Sequence, residues 1–87
     1  MLNRTQPLTT PAQLGAQLVN ARKSRKLTQA KLGARIGLSQ RRVSELELAP
    51  GTLSVDQLLA ICAQLGLQLS LQPRDGSNAA RDTTMDW

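Results

Sequence analysis

Residues 27–48 read LTQAKLGARIGLSQRRVSELEL, and the order of capping, small and apolar residues in this stretch decides the fold. Thr28 and Ser39 each precede a helical run. A hydroxyl at that place accepts a hydrogen bond from the free N–H groups of the first turn. Ala30, Leu32, Ala34 and Ile36 offer small and apolar positions for packing. Gly37 stands where the first helix must stop, in a left-handed cap that glycine enters without strain. Leu38 follows as a plug for the turn. The second helix then runs from Gln40 to about Leu48, with Val43 and Leu46 on one side and Gln40, Arg41, Ser44 and Glu45 roughly opposite.

Two short helices joined by a Gly-containing turn, the second with an exposed polar and basic face, describe a helix-turn-helix that reads DNA. A plain helical hairpin with a solvated face is the alternative. The cap, Gly, Leu and cap signals fall in the order that the motif needs.

Charge is divided unevenly along the chain. From Met1 to Ser44 there is no Asp or Glu, and nine of the eleven basic residues lie there: Arg4, Arg22, Lys23, Arg25, Lys26, Lys31, Arg35, Arg41 and Arg42. From Glu45 onward six acids face only Arg74 and Arg81, so the halves carry +9 and −4 and sum to the net +5. Such a split points to a polyanion for the first half and leaves the acidic half for another partner.

Eighty-seven residues make one domain with a small core. Apolar residues are 40% of the chain but aromatics only 1%, so the core is built from Leu, Ile, Val and Ala, and a dimer would strengthen it. Cys62 is the single cysteine. No intrachain disulfide is possible, which fits a reducing cytoplasm. With no His to activate or co-ligate it, Cys62 reads as a small core residue. No leader peptide or membrane span is evident.

Upstream, residues 1–9 lack periodicity and read as a flexible arm, from which Arg4 can reach a phosphate or a minor groove. Thr10-Pro11-Ala12-Gln13 opens a helix with a capping box and a proline in its first turn. That helix runs to about Lys26, with Leu14, Leu18 and Ala21 as its apolar stripe and Arg22, Lys23, Arg25 and Lys26 suiting its negative end. Downstream, Ala49 to Thr52 form a turn. Ser54-Val55-Asp56-Gln57 repeats the capping box, and Leu58, Leu59, Ile61, Cys62 and Leu65 form the buried side of a helix that Gly66 ends.

Leu67-Gln68-Leu69-Ser70-Leu71-Gln72 alternates strictly, as a strand does. The chain offers it no partner strand, and an unpaired apolar edge is unstable. The simplest partner is the same strand of a second copy, through Leu67, Leu69 and Leu71; an extended tail laid on the helices is the alternative. Residues 73–87 are polar and turn-rich and read as a disordered tail. They end in Trp87, the sole aromatic residue, which suits docking in a partner's pocket. The expected fold is therefore all-α, four helices in residues 10–72, plus one C-terminal β-strand pairing across a homodimer.

From Leu14 to Leu65 the chain resembles the Xre/lambda-repressor-like helix-turn-helix family. The residues that carry the resemblance are Arg22, Leu27-Thr28-Gln29, Leu32-Gly33, Gly37-Leu38-Ser39-Gln40, Val43-Ser44 and Leu46-Glu47. Two positions depart from the family's pattern: Gly33 stands where Ala is usual, and Leu46 where an aromatic residue is frequent. Within that family the whole chain is similar to the HipB-type antitoxins, through Thr10 to Leu14, the strand Leu67 to Leu71 in place of a fifth helix, and the ending Met85-Asp86-Trp87.

The resemblance implies a bacterial, cytoplasmic, nucleoid-associated homodimer. Such a protein binds a double-stranded inverted-repeat operator, represses its own toxin–antitoxin operon, and neutralises a HipA-type Ser/Thr kinase toxin, with no cofactor. It also implies an ion pair between Arg22 and Glu47, and a phosphate clamp at Gln29. Ser39, Gln40, Arg41, Ser44 and Glu45 are the expected base readers, since Gln pairs with adenine and Arg with guanine, while Glu45 either accepts from cytosine or only repels misplaced backbone. Thr28, Gln29, Arg42, Lys26 and Lys31 are the expected phosphate contacts.

Three other readings compete. A stand-alone Xre-type repressor without a protein partner would carry the same DNA chemistry, and only the acidic half and Trp87 speak against it. An enzyme lacks support, for the chain has no His, no Tyr and no phosphate-cradling Gly loop. An RNA-binding module would need exposed aromatics for stacking.

Overall fold

The computed structural model describes residues 6–74. They form four α-helices in chain order: α1 (Pro11–Ser24), α2 (Gln29–Ile36), α3 (Gln40–Leu48) and α4 (Val55–Leu65), with a single 3₁₀ turn at Pro50–Thr52 between the last two. Arg4, Trp87 and nearly all of the acidic tail lie outside the described residues.

The helix starts follow from the caps. The hydroxyls of Thr10, Thr28, Ser39 and Ser54 accept from the backbone N–H groups of Gln13, Lys31, Arg42 and Gln57, and the first and last complete capping boxes with Gln13 and Gln57. Gly37 and Gly66 end α2 and α4 in left-handed conformation, with φ of 78° and 70°.

α1 ends earlier than its sequence suggests, at Ser24 rather than near Lys26. The Leu27 N–H donates to the Arg22 carbonyl at 3.1 Å, and the Lys26 N–H to the Lys23 carbonyl at 2.9 Å. These are the paired bonds of a Schellman cap, in which the left-handed residue is usually Gly. Here that residue is Lys26, at φ 57°.

The core is Leu18, Leu27, Leu32, Val43, Ile61, Cys62 and Leu65, with Leu14, Ala21, Ile36, Leu38, Leu53 and Leu58 packed around it. Leu32, Val43 and Leu46 are the most deeply buried side chains, which places the centre of the fold at the contact between α2 and α3. Two expectations about packing are corrected. Ala30 and Ala34 are exposed rather than packed, and so is Leu59. A short helix buries one stripe, and in α2 that stripe runs through Leu32 and Gly33. In α4 it runs through Ile61, Cys62 and Leu65, with Leu59 turned outward.

Two glycines mark close approaches. A Cβ on Gly33 would collide with the Leu38 carbonyl oxygen, so the turn closes directly on the α2 backbone. A Cβ on Gly15 would lie 2.7 Å from Pro50 Cγ, which seats the 3₁₀ turn against the middle of α1. Residues 67–74 form no strand within the chain, and Leu67, Leu69 and Leu71 are all exposed. No helix among the described residues is long and apolar enough to cross a membrane.

Candidate nucleic-acid interface

The candidate face is built on two helix starts. Gln29 and Gln40 are the first residues of α2 and α3, and the Gln40 Nε2 donates to Gln29 Oε1 at 3.1 Å. That bond ties the two N-termini together, so free backbone N–H groups and two positive dipole ends open beside one another. Such a pairing favours an anion.

Behind the face lies a hydrogen-bonded network that fixes α3 against α1 and α2. Arg22 is buried, with 8% of its surface exposed. Its Nε donates to Glu47 Oε2 at 2.7 Å and its Nη2 to Glu47 Oε1 at 3.1 Å, while its Nη1 donates to the Leu27 carbonyl at 2.9 Å. The sequence expectation of an Arg22–Glu47 pair therefore matches the structure. Gln29 Nε2 adds a further bond to Glu47 Oε1 at 2.9 Å. A planar guanidinium meeting a carboxylate through two bonds locks direction as well as distance. Among the described residues no buried side-chain nitrogen or oxygen lacks a partner.

Gln29 was expected to clamp a phosphate, and the structure gives its amide a second duty. Both ends of the amide are engaged within the protein, toward Glu47 and Gln40. One amide hydrogen and the backbone N–H remain for a ligand.

The expected base readers fall on one side of α3. Gln40, Arg41 and Glu45 are exposed along it, Ser39 sits at its start and Ser44 is half-buried at its flank. The Ser39 Oγ accepts from the Arg42 N–H at 3.0 Å, which leaves its hydroxyl proton and its second lone pair for a ligand. Arg41 is the most exposed of the charged side chains on α3, at 88%, and its Nε lies 3.5 Å from Glu45 Oε2. Arg42 Nη1 lies 3.3 Å from the other oxygen of Glu45. The signal for this double engagement of Glu45 is its spacing of four from Arg41 and three from Arg42, which puts all three on one helix face.

The expected phosphate contacts surround this face. Lys26 and Lys31 are exposed, and Thr28 is exposed with its hydroxyl accepting from the Lys31 N–H at 3.0 Å. By its place in the sequence Arg25 suits the negative end of α1. The structure instead lays its guanidinium over Gly66 at the end of α4, its Nε 3.3 Å from where a Cβ would stand. A cation suits that negative helix end. Cys62, away from this face, is buried, and burial pushes its thiol pKa up.

A capped helix, a tight Gly–Leu turn and a second helix bearing exposed Gln and Arg define a helix-turn-helix protein. The helix-turn-helix family matches residues 18–72, and the chain belongs to it. Among solved structures, a complex of a substituted HipB with an O2 20mer superposes with a TM-score of 0.73 at 28% identity, over 79% of this chain and 96% of that one. The fold is thus that of a HipB-type, Xre-like helix-turn-helix protein. The sequence matches no curated protein.

Proposed function

We propose that the chain binds an inverted-repeat DNA operator as a homodimer, represses the operon that encodes it, and neutralises a HipA-type kinase toxin. The observation that carries the DNA reading is the junction of two helix N-termini through Gln29 and Gln40, in a chain whose fold superposes on HipB in a complex with an O2 20mer. In this reading α3 enters the major groove. Arg41 takes guanine, Gln40 takes adenine, and Ser39, Ser44 and Glu45 complete the base contacts. Thr28, Gln29, Arg42, Lys26 and Lys31 hold phosphates and set the register.

Support for the dimer comes from Leu67, Leu69 and Leu71, three exposed leucines at alternating positions that a second copy of the same segment would cover. Support for a toxin partner is the HipB-type fold and the acidic second half of the chain, with Trp87 as the docking residue.

The DNA roles are tested by comparing Arg41→Ala with Arg42→Ala on a duplex selected by the wild-type chain and on a scrambled duplex. Arg41→Ala costs about 1–3 kcal/mol on the selected duplex and little on the scrambled one. Arg42→Ala weakens both about equally. Equal losses on both duplexes for both variants refute the assignment. Affinity purification with an N-terminal tag addresses the toxin. A stoichiometric kinase-like protein, lost on deleting Trp87, supports the antitoxin, and a homodimer that binds DNA with no partner leaves a stand-alone Xre-type repressor.

A further inference from the structure

α3 carries its charges in the order that a helix tolerates least. Its first turn holds Arg41 and Arg42 and no acid, and its last turn holds no base. Cations at the positive end and acids farther along both oppose the macrodipole. An Arg N-terminal to its Glu is also the weaker order for an intrahelical pair, and exposed pairs of this kind contribute little to stability. Glu47 on the same helix has a structural duty, bonded to buried Arg22 at 2.7 Å. Glu45 has none: half of its side chain is exposed, and among the described residues its charged partners are Arg41 at 3.5 Å and Arg42 at 3.3 Å. It is the one carboxylate on the outward arc of α3.

We infer that Glu45 is a specificity-determining residue of this face: its carboxylate holds Arg41 and Arg42 in the free protein and penalises every DNA register that offers it no donor. This rests on the DNA-binding reading above. On a random duplex the carboxylate cancels part of the attraction of two arginines for phosphate and gains nothing in return. In the matched register a cytosine N4 amino group donates to it, and Arg41 is released to take guanine through both of its forked donors. Residues four apart are separated by about 6 Å of helix rise, and base pairs by about 3.4 Å. The cytosine and the guanine therefore lie one or two steps apart.

The test uses the full chain and two fluorescent duplexes: one of about 20 base pairs, long enough for two half-sites, selected from a random library by the wild type, and its scrambled counterpart. Binding is followed by anisotropy across a salt series. Glu45→Gln removes the charge and keeps the shape. It is expected to tighten the scrambled duplex about 3–10-fold and to lower the ratio of selected to scrambled affinity at least as much. Glu45→Asp keeps the charge and is expected to keep the weak scrambled binding. An unchanged ratio for Glu45→Gln, or no gain on the scrambled duplex with unchanged circular dichroism, overturns the inference while leaving DNA binding intact. A wild-type chain that binds no duplex, or enriches none, overturns the DNA-binding reading and this inference together.

Discussion

Removing the Glu47 carboxylate is the most demanding test of how α3 is held. Glu47→Ala deletes two bonds to Arg22, at 2.7 and 3.1 Å, and one from Gln29 at 2.9 Å. Arg22 keeps only the Leu27 carbonyl, at 2.9 Å. Both side chains of the pair are about nine-tenths buried, at 10% and 11% exposure, so water cannot replace the lost partner. Breaking a buried pair from one side costs about 3–5 kcal/mol; the slight exposure points to the lower end, about 3 kcal/mol. A domain of this size holds roughly 4–10 kcal/mol. With a urea m-value near 1 kcal/mol/M, the midpoint drops by about 3 M. Removing both charges together, in Arg22→Met with Glu47→Leu, is expected to cost only about 1 kcal/mol, chiefly for the orphaned Leu27 carbonyl. The assay is urea denaturation followed by far-ultraviolet circular dichroism at fixed protein concentration, because a dimer's stability depends on concentration. A cost for Glu47→Ala below about 1 kcal/mol, the range of surface pairs, refutes the argument. So does a double variant as unstable as the sum of the two single ones.

Three further outcomes follow from the backbone and the core. Gly33→Ala sets a Cβ against the Leu38 carbonyl, and overpacking of this kind costs about 1–3 kcal/mol, seen as a lower thermal midpoint; a neutral or stabilising result shows that the turn moves aside. Lys26→Gly relieves a left-handed Lys at φ 57° and is expected to gain roughly 0.5–1 kcal/mol, while weakening binding to scrambled and selected DNA alike; loss of stability refutes the Schellman reading. Burial raises the Cys62 thiol pKa, so above roughly pH 8.5 the unfolded chain loses its thiol proton before the folded one. Stability therefore falls as pH rises through that range, and Cys62→Ala or Cys62→Val flattens this dependence. Equal alkaline slopes for wild type and variant refute it.

The parts of this fold that were legible in the sequence are those decided within four residues. Thr10, Thr28, Ser39 and Ser54 cap their helices as expected, because an N-cap needs only its own hydroxyl and an N–H three residues on. Gly37 and Gly66 are left-handed as expected, because that conformation selects Gly locally. The same logic failed at Lys26, where no Gly announces the cap; there Leu27 is drawn into the core, and its burial holds the residue before it in an unfavourable conformation. Leu59 and Gly15 were misjudged or missed because their surroundings come from distant chain. An apolar stripe on α4 is wide enough to admit Leu59, and only the placement of the other helices turns that residue outward. Gly15 in mid-helix was the available signal for Pro50, since a helical Gly costs about 1 kcal/mol and invites a search for the backbone or ring it admits.

The candidate site divides along the same line. That Gln40, Arg41 and Glu45 share one side of α3 follows from helical period alone, and the structure places them there. What the period cannot supply is which of these groups is already occupied. Gln29 is engaged at both ends of its amide, the Ser39 Oγ accepts from the Arg42 N–H, and Glu45 engages both arginines. Each such bond must be exchanged or kept when a ligand arrives. The exchange costs little at half-exposed Glu45 and much more in the buried network behind it. The face thus has a rigid base, fixed by Arg22 and Glu47, and an adjustable outer layer of Arg41, Arg42 and Glu45. Glu47 thus holds the fold, while the inference drawn above gives discrimination to Glu45, two residues away on the same helix.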